Sequence, residues 1–497
     1  ERDYNIIYLK GEEDKLDEIV AGFIRPFDLE QDPLVRVALV EVDEEKHLLM
    51  FDMHHIISDG ISMNILIRDF LSLYNNEKLP PIEIQYKDYS VWQSEIVKLG
   101  TMKKQEEYWV ELFKGEIPSL NMPLDYPRPS IQSFEGTMIN FSLDEDQTKG
   151  IKNIAQKAGT TVYMTLLAIL NVLLYKYTGQ EDILVGTTIA GRPHADLNNV
   201  IGMFLNTLVM RNYPHGKKSF SDFLQGVKEN CLEAYENQDY QFADLVEKLN
   251  LKRDLSRNTL FDVIFMLQNN DSKTVDIGEL RLTPYANEHR VAKFDLSLST
   301  LETDTAICFE IEYCTKLFKK ETMERFIAHF KQIVEQVIGN SAIILEDIDI
   351  LTADEKNTVL NEFNNTHIDY PSKTIHELFE EQVEKTPGNI ALVYEEESLT
   401  YAELNRKANS LARVLRDKGI GPNSIVAIIV EKSLEMAVGM LGIMKAGGAY
   451  LPVDPGHPQE RIKDMLTDSN SRILLTSSYL SAKCQFNLEV IELDKLA

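Results

Sequence analysis

Two apolar stretches around a polar turn form the first clear pattern along the chain. Residues 35–42 and 47–53 are dominated by apolar side chains, which predicts a β-hairpin. Apolar side chains then recur at helical spacing from Met63 to Tyr74, which predicts a helix with Ser62 as its N-cap. The segment between them, residues 54–60, is the kind of loop on which a rigid scaffold often carries functional side chains.

A proline-rich connection at residues 123–129 precedes a second series of elements. Proline disfavours helix at its own and the preceding position, so we predict a boundary here between two lobes, 1–122 and 130–351. The second lobe is predicted to contain four strands and four helical stretches. The strands are 137–143, 183–189, 260–267 and 306–313, and the helical stretches are 147–158, 162–177, 220–246 and 323–338.

A polar segment containing a proline follows, and we predict residues 352–373 as a linker. Residues 374–497 then show regular alternation of helices and strands, which predicts a mostly parallel sheet covered by helices. The helices are 375–383, 401–418, 434–446 and 459–466, and the strands are 390–393, 425–430, 450–453 and 473–476. The alternation is still in progress at the last residue, so we expect this third unit to be truncated.

Charge and composition narrow the function classes. The chain has 497 residues, with 51 Lys and Arg against 79 Asp and Glu, so its formal net charge is −28. This acidic balance argues against binding of nucleic acid or anionic lipid, since both need basic surfaces. Hydrophobic residues make up 44%, which is enough to build cores and excludes a disordered tail.

Cysteine usage and the N-terminus indicate the compartment. The four cysteines are scattered without a C-x-x-C pair, so we expect neither a disulfide framework nor a zinc knuckle. They are Cys231, Cys308, Cys314 and Cys484. The N-terminus has no signal-peptide pattern, and the apolar stretch 162–175 suits a buried helix better than a membrane span. We expect a cytoplasmic protein, and the lack of an initiator Met indicates that the chain begins inside a longer polypeptide.

The strongest candidate for chemistry is the turn His54-His55-Ile56-Ile57-Ser58-Asp59-Gly60. Neighbouring residues on extended backbone point to opposite sides, so His54 and His55 are expected to do different things. A neutral imidazole can accept a proton from a nucleophile near pH 7. Asp59 can bond the amides of the turn or pair with a buried arginine, and Gly60 can adopt a positive φ. A purely structural histidine pair is the alternative.

Other site chemistries fit the sequence less well. His54, His55 and Asp59 lack the i, i+4 histidine spacing of zinc hydrolases, and no third ligand is evident, so we expect no metal. The sequence has no G-x-S-x-G elbow and no G-x-x-x-x-G-K-[ST] loop. These absences argue against a serine hydrolase and a P-loop nucleotidase.

The turn His54–Gly60 resembles the HHxxxDG motif of condensation domains in nonribosomal peptide synthetases. Its core from His55 is shared with chloramphenicol acetyltransferase and plant acyltransferases. Four further segments resemble motifs of the condensation family, in the family's order. They are YKDYSVW at 86–92, IGMFLNT at 201–207 with Arg211, NQDYQF at 237–242 with Asn for His and Gln for Pro, and RDLSRNTL at 253–260 with Thr for Pro. The ordered set identifies the chain as resembling a condensation domain.

The third unit resembles the start of an amino-acid adenylation domain. LTYAEL at 399–404 and KAGGAYLPVD at 445–454 resemble the first two core motifs of that family. Its Ser/Thr/Gly-rich phosphate loop and its catalytic lysine are absent from the sequence. We therefore expect no activation of amino acids by this chain, and ATP with Mg²⁺ would act only in a complete adenylation domain.

Two departures from the condensation pattern affect the expected architecture. The family's first two motifs, of the SxAQxR and RHExLR types, are missing, and so is the LGGxS serine of a carrier domain. The resemblance therefore implies an internal fragment of a multimodular synthetase. Its fold class is expected to be α/β, with two chloramphenicol-acetyltransferase-like lobes in a V, the first incomplete, followed by a truncated α/β adenylate-forming domain.

The resemblance implies peptide-bond formation. The amine of an acceptor aminoacyl thioester would attack the carbonyl of a donor acyl or peptidyl thioester. Both thioesters would hang on the 4'-phosphopantetheine arms of partner carrier domains, one upstream and one downstream, which enter a tunnel between the lobes from opposite faces. His55 would take the proton of the amine or orient the amine, and the sequence does not separate these roles.

The resemblance also assigns expected roles to other residues. His54 is expected to be packed, Asp59 to hold the loop, and Gly60 to leave space for substrate. Ser58, Asn206 and Arg257 are expected along the substrate tunnel, although a strand-edge Asn bonded to backbone and a helix-capping Arg are the structural alternatives. The unranked candidates for the arginine partner of Asp59 are Arg192, Arg211 and Arg290.

Three alternative functions stay open at this point. A stand-alone acyltransferase that uses acyl-CoA would share the chemistry, and an epimerisation domain would share the double-histidine turn. A catalytically silent interaction scaffold belongs to a different class and suits a truncated first lobe. If the chain is a condensation domain, the sequences HHIISDG and NQDYQF favour a donor of L configuration.

Overall fold

The structure is a computed structural model that describes residues 5–268, 275–277, 280–285, 291–303, 305–483 and 488–496. The chain divides into two compact units, Glu1–Asn365 and Thr366–Ala497. The division falls inside the predicted linker 352–373, part of which forms a short helix, Ala353–Asn357. The finer division of unit 1 into lobes at 122 and 130 stays a prediction.

A small sheet with one covering helix begins unit 1. Its elements are β1 (Ile7–Lys10), α1 (Leu16–Phe23), β2 (Val35–Glu41) and β3 (His47–Met53). β1 pairs with β2 in parallel and β2 with β3 antiparallel, so the predicted hairpin is confirmed. α1 covers one face of the sheet, because Leu16 and Val20 pack with Ala38, Val40 and Met50 in a common core.

Three helices follow the sheet: α2 (Gly60–Tyr74), α3 (Tyr86–Lys98) and α4 (Lys103–Leu112). The predicted N-cap of α2 is wrong. Asp59 caps the helix by accepting a hydrogen bond from the backbone N–H of Ser62 at 2.7 Å. The sequence did not reveal α3, because only Tyr89 on this helix is fully buried and no apolar stripe marks it.

α4 packs in the core of a later sheet of unit 1 and not with the first sheet. Trp109 is 2% exposed, and it joins the core of the later sheet together with Phe113. Its indole N–H donates to the carbonyl oxygen of Asn237 at 2.8 Å. The sequence assigned residues up to 122 to the first lobe, but the apolar face of α4 is buried where the second lobe supplies the partners.

A six-stranded mixed sheet forms the rest of unit 1, with strand order β4-β11-β10-β7-β5-β6. The strands are β4 (Gly136–Leu143), β5 (Ile183–Ile189), β6 (Asn206–Asn212), β7 (Val263–Gln268), β10 (Leu296–Glu302) and β11 (Ile307–Cys314), and β8 (Val275–Ile277) pairs with β9 (Leu280–Leu282) apart from them. The helices are α5 (Glu145–Ala158), α6 (Val162–Thr178), α7 (Phe220–Glu236), α8 (Phe242–Leu249), α9 (Lys320–Gly339) and α10 (Ala353–Asn357).

The most apolar stretch of the sequence is the central helix of this core. Most side chains of α6 are buried, and the helix contacts α5, α7 and α9 as well as the sheet. This confirms the prediction of a buried helix at 162–175. Within the described residues, no single helix is long and apolar enough to cross a membrane; α5 and α6 meet the length and composition criteria only as a pair, bent by 105°.

Unit 2 contains the predicted parallel sheet. Strand order is β15-β14-β16-β17, with every neighbouring pair parallel, and β12 and β13 form a separate antiparallel hairpin. The strands are β12 (Ile390–Tyr394), β13 (Glu397–Thr400), β14 (Ile425–Ile429), β15 (Ala449–Pro452), β16 (Ile473–Thr476) and β17 (Glu489–Glu492). The helices are α11 (Ile375–Lys385), α12 (Tyr401–Asp417), α13 (Leu434–Ala446), α14 (Gln459–Asp468) and α15 (Ser478–Lys483). The prediction placed strand 390–393 in the parallel sheet, which is wrong.

Candidate active site

The turn with the two histidines joins the end of β3 to the start of α2. The backbone N–H of His54 donates to the carbonyl oxygen of Leu34, and His55–Ile57 form one turn of 3-10 helix. The Nδ1 atom of His54 accepts a hydrogen bond from the backbone N–H of Ile56 at 3.1 Å, which caps this turn. The local backbone therefore fixes the direction in which each histidine side chain leaves the chain.

His55 presents its ring to solvent. The residue is exposed, and its Nδ1 lies 2.7 Å from the carbonyl oxygen of Ser58. Since a carbonyl oxygen can only accept, Nδ1 carries the proton in this contact. The neutral ring then keeps its free electron pair on Nε2, which is the tautomer that a base or a hydrogen-bond acceptor needs.

His54 occupies a different environment. Its ring is partly buried and meets the ring of Phe27 edge-on, with 6.0 Å between centroids and 90° between planes. Because Nδ1 already accepts from Ile56, His54 contributes to the shape of the turn. The structure thus separates a packed histidine from an exposed one.

Asp59 is buried, and its carboxylate is fully occupied. Oδ1 accepts from the backbone N–H and the hydroxyl of Ser62, each at 2.7 Å, and Oδ2 accepts from the backbone N–H of Phe204 at 3.1 Å. The guanidinium of Arg192 completes the set at 3.1 and 3.3 Å. A carboxylate with this many donors is suited to holding the turn in place and poorly suited to proton transfer.

Arg192 is the partner of Asp59 among the three candidates. Its Nη1 also donates to the carbonyl oxygens of Leu197 and Val200 at 2.5 and 2.7 Å, and the guanidinium lies 4.0 Å from the centre of the Phe204 ring. Arg211 pairs instead with Asp182 on its own lobe, and Arg290 lies outside the described residues.

Two further motifs meet the histidine turn at this point. The hydroxyl of Ser62 shares its single proton between Asp59 and the carbonyl oxygen of Gly202, at 2.7 and 2.9 Å, and accepts from the N–H of Gly202 at 3.1 Å. The hydroxyl of Tyr86 donates to the carbonyl oxygen of Met203 at 2.8 Å. The segments HHIISDG, YKDYSVW and IGMFLNT are therefore one structural assembly, which their sequence order alone did not reveal.

The pKa values of the two tyrosines of this assembly are raised, which favours the neutral phenol. Burial, and then the charge of Asp59, raise the pKa of Tyr86 above its usual value. Burial, and then Tyr86 and Asp239, raise the pKa of Tyr89. Both rings pack on Phe204, with centroid distances of 5.1 and 4.8 Å. The Arg192 guanidinium that pairs with Asp59 packs on the same Phe204 ring.

Gly60 begins α2 with an ordinary backbone conformation. Its φ is not in the left-handed region, so the predicted use of a positive φ is wrong. A Cβ atom added at Gly60 would have no heavy atom within 4 Å, so the residue opens onto free space. Gly191, next to Arg192, does have a left-handed backbone: its φ is +59°, and an added Cβ would lie 1.8 Å from the carbonyl oxygen of Phe204.

These two glycines predict opposite effects of the same substitution. Gly60→Ala is expected to change the free energy of unfolding by less than about 1 kcal/mol, since alanine suits a helix start and nothing is displaced. Gly191→Ala is expected to cost at least about 2 kcal/mol from left-handed strain and steric overlap. Urea unfolding followed by tryptophan fluorescence measures both, because the two tryptophans, Trp92 and Trp109, lie in unit 1. Equal midpoints for both variants would contradict the prediction.

Asn206 is committed to the backbone. Its Nδ2 donates to the carbonyl oxygens of Gln238 and Tyr240 at 2.9 and 2.8 Å, and its Oδ1 accepts from the N–H groups of Thr207 and Phe242 at 2.9 and 3.1 Å. These four bonds use the donors and lone pairs of the amide. The structural alternative therefore holds, and the expectation of an amide open to substrate is corrected.

Arg257 lies at a separate cavity of about 190 Å³ in the second lobe. Its Nη1 donates to the carbonyl oxygen of Leu120 at 3.0 Å and pairs with the buried carboxylate of Asp262. Burial, and then the charge of Asp295, raise the pKa of Asp262, and Arg257 opposes that rise. Arg257 is engaged in an internal ion pair, so its expected place along the substrate path is not supported by its contacts.

Ser58 is buried, and its backbone carbonyl oxygen holds the ring of His55. The structure thus brings Ser58 together with His54, His55 and Asp59, and it places Arg257 elsewhere. Across the described ranges, no group of three or more His, Cys, Asp or Glu side chains is arranged to hold a metal ion.

Comparison with known proteins identifies the family. The family model described as Condensation domain matches residues 1–360, and the one described as AMP-binding enzyme matches residues 379–496. Gramicidin S synthase 2 of Brevibacillus brevis is 51% identical over 496 residues, covering 99% of this chain and 11% of the relative. Bacitracin synthase 3 of Bacillus licheniformis is 50% identical over 487 residues, covering 98% of this chain and 8% of the relative. The chain thus spans about a tenth of the length of these curated relatives.

The fold has a close match among solved structures. The crystal structure of a four-domain nonribosomal peptide synthetase aligns with a TM-score of 0.86 at 22% identity, covering 100% of this chain and 39% of that one. The predicted fold class and the resemblance to nonribosomal peptide synthetases are confirmed. The chain therefore belongs to the condensation domain family, and in the same polypeptide it continues into sequence of the AMP-binding enzyme family.

Proposed function

We propose that this chain forms peptide bonds between two carrier-bound thioesters, in the manner of the condensation domains of nonribosomal peptide synthetases. The observation that carries the proposal is the exposed ring of His55, which is held through Nδ1 and keeps Nε2 free. Family membership and the names of the relatives, which are peptide antibiotic synthases, support the same reaction.

The reaction needs little from the protein beyond position and one proton acceptor. The acceptor's amine nitrogen attacks the donor carbonyl carbon, a C–N bond forms, and the C–S bond breaks to leave the donor arm as a thiol. The amine loses one proton, and the departing sulfur gains one. Nε2 of His55 accepts that proton or a hydrogen bond from the amine, and a thioester is reactive enough for positioning to supply much of the acceleration.

The proposed partners are an upstream donor carrier domain and a downstream acceptor carrier domain. Each would bring its thioester on a 4'-phosphopantetheine arm, which belongs to the carrier and not to this chain. The backbone carbonyl of Ser58 holds the ring of His55, and Gly60 leaves space free in the same turn. We also propose a cytoplasmic location, which the few scattered cysteines favour.

ATP and Mg²⁺ have no step in this proposal. Lys445 of the second adenylation motif is buried, pairs with Glu380 and lies over the ring of Phe379 at 5.8 Å. Its ammonium is therefore engaged inside unit 2 and is not free for a nucleotide. The proposed function therefore assigns no adenylation step to residues 366–497.

The alternatives are disfavoured by specific observations. An acyltransferase that uses soluble acyl-CoA does not explain the adjoining AMP-binding sequence at 379–496. An epimerisation domain shares the double-histidine turn, but the condensation model covers residues 1–360. A catalytically silent scaffold would not need a His55 ring that is exposed and held by one hydrogen bond.

A reconstituted transfer assay tests the proposal. One carrier protein is loaded with a donor aminoacyl thioester and a second with an acceptor, the chain is added, and the acceptor is weighed by intact mass. We expect the acceptor to gain one donor residue only when the chain and both carriers are present. Transfer from acyl-CoA to a free amine would favour the stand-alone acyltransferase, and no product across a panel of carrier pairs would contradict the proposal.

A further inference from the structure

Arg36 lies on the strand that pairs with the one leading into the histidine turn. Its guanidinium makes several contacts outside the sheet. Arg36 sits on β2 opposite Asp52 on β3, and its side chain is 10% exposed. Nη1 donates to Asp52 at 3.0 Å and to the carbonyl oxygen of Arg25 at 2.8 Å. Nη2 donates to the carbonyl oxygen of Pro26 at 2.9 Å and to Asp32 at 3.3 Å. One guanidinium thus ties the connection after α1 to the sheet.

The flat face of the same guanidinium holds an aromatic ring. The central carbon of the Arg36 guanidinium lies 3.7 Å from the centre of the Phe27 ring, within cation–π distance. The Phe27 ring in turn meets His54 edge-on at 6.0 Å. His54 caps the 3-10 turn that begins with His55, so the contacts run without a gap from Arg36 to the histidine turn.

The sheet does not depend on this network for its core. The core under α1 is built from Leu16, Val20, Ala38, Val40 and Met50, and Arg36 is not among these residues. Arg36 lies at the end of the sheet from which the turn departs, since Val35 pairs with Met53 just before His54. This location suits Arg36 to positioning the histidine turn rather than to stabilising the core of the sheet.

We propose that Arg36 is a positioning residue for His55. It fixes residues 25–32, holds Phe27 against His54 and so sets the backbone that aims the His55 ring. The turn is then held at two ends, by Arg36 through Phe27 and His54 and by Arg192 through Asp59. Lysine cannot replace this function fully, because the role uses four hydrogen bonds and a planar stacking face at once.

Two substitutions on the network and one control test this inference. Arg36→Met removes the hydrogen bonds and the stack, and Phe27→Leu removes the relay but leaves the ion pairs of Arg36 in place. Arg36→Lys is the conservative variant. Arg325→Met is the control, since this exposed arginine on α9 donates to Thr322 of its own helix.

The first readout does not depend on activity. Ring ¹⁵N NMR of the 10 histidines, with His55 assigned by its loss in His55→Gln, reports which ring nitrogen carries the proton. The native chain is expected to show His55 protonated at Nδ1, because of the contact with Ser58. Arg36→Met and Phe27→Leu are expected to shift this signal towards a mixture of tautomers, and Arg325→Met is expected to leave it unchanged.

The second readout rests on the proposed function. In the carrier assay, Arg36→Met and Phe27→Leu are expected to lower kcat about 10- to 100-fold with little change in KM, because the ring is misaimed while substrate binding persists. Arg36→Lys is expected to retain an intermediate rate. A smaller folded fraction would also lower the apparent kcat at unchanged KM, so each rate is divided by the folded fraction of that variant, measured by near-UV circular dichroism.

The outcomes separate the two proposals. If the native chain makes no peptide bond, the proposed function fails and the NMR signal still decides the role of Arg36. If Arg36→Met does not fold, Phe27→Leu decides. Folded Arg36→Met and Phe27→Leu proteins with the native Nδ1 signal of His55 would overturn the inference.

Discussion

Replacing His55 with alanine is expected to lower the rate of carrier-to-carrier condensation by about 10²- to 10⁴-fold, the usual contribution of a group that accepts a proton in the transition state. The free energy of unfolding is expected to stay within about 0.5 kcal/mol of the native value. His55 is exposed, and its recorded side-chain hydrogen bond is the one to the carbonyl oxygen of Ser58, which water can replace. Activity and stability should therefore separate in this variant.

A second substitution distinguishes the two roles that His55 can play. His55→Gln keeps a hydrogen-bond acceptor near the position of Nε2, but an amide cannot take up a proton at neutral pH. If His55 orients the amine, His55→Gln is expected to retain at least a tenth of the native rate. If His55 takes the proton, the glutamine and alanine variants are expected to be equally slow. Initial rates of acceptor mass gain, with both carriers saturating, measure the difference.

His47 supplies the matched control. It is an exposed histidine at the start of β3 in the same hairpin, so His47→Ala removes the same side chain without touching the turn. This variant is expected to condense at the native rate. Equal rates for native chain, His47→Ala and His55→Ala would show that His55 has no part in the reaction.

The sequence led to the histidine turn because the chemistry there is local. His54, His55 and Asp59 lie within six residues, and the prediction that the two histidines diverge holds, although the divergence comes from the turn of 3-10 helix that begins at His55 and not from two extended residues. The partner of Asp59 could not be ranked, because Arg192 is far away in sequence and only the folded chain brings it to α2. Local pattern carries no information about such a contact.

The wrong predictions for Ser62 and Asn206 also arose because their partners are distant in sequence. Ser62 has a side chain suited to an N-cap, but the acceptor in the cap position is Asp59, and Ser62 bonds Gly202 across the lobes. The sequence suggested that the amide of Asn206 is available to a ligand. In the structure, residues 238–242 occupy its hydrogen-bonding groups. In both cases the partner comes from a distant segment, and the tertiary contact decides which of two chemically reasonable roles a polar side chain takes.

Of the variants described, the one that removes the distant partner of Asp59 is expected to lose the most stability. Arg192→Met is expected to lower the free energy of unfolding by about 3–5 kcal/mol, because it leaves the charge of buried Asp59 without a counter-charge. The side chains of Arg192 and Asp59 are 3% and 0% exposed, so water cannot compensate. Two further acceptors, the carbonyl oxygens of Leu197 and Val200, also lose their donor.

Arg68→Met is the control for the effect of burial. Arg68 also joins α2 to the second lobe, through Asn199 at 2.9 Å, but its side chain is 53% exposed. Arg68→Met is therefore expected to cost less than about 1 kcal/mol. Urea unfolding followed by tryptophan fluorescence reports unit 1 alone, since Trp92 and Trp109 both lie there. Equal costs for Arg192→Met and Arg68→Met would contradict the importance of burial.

The double variant isolates the charge. Asp59→Asn removes the carboxylate charge and keeps an oxygen that can accept from the N–H and the hydroxyl of Ser62. In the background of Arg192→Met, this second change is therefore expected to recover part of the lost stability, although each change alone destabilises. A coupling free energy of about 1–3 kcal/mol is expected from the four unfolding curves, since the residues are in direct contact. Strict additivity of the two losses would mean that Asp59 and Arg192 are not energetically coupled.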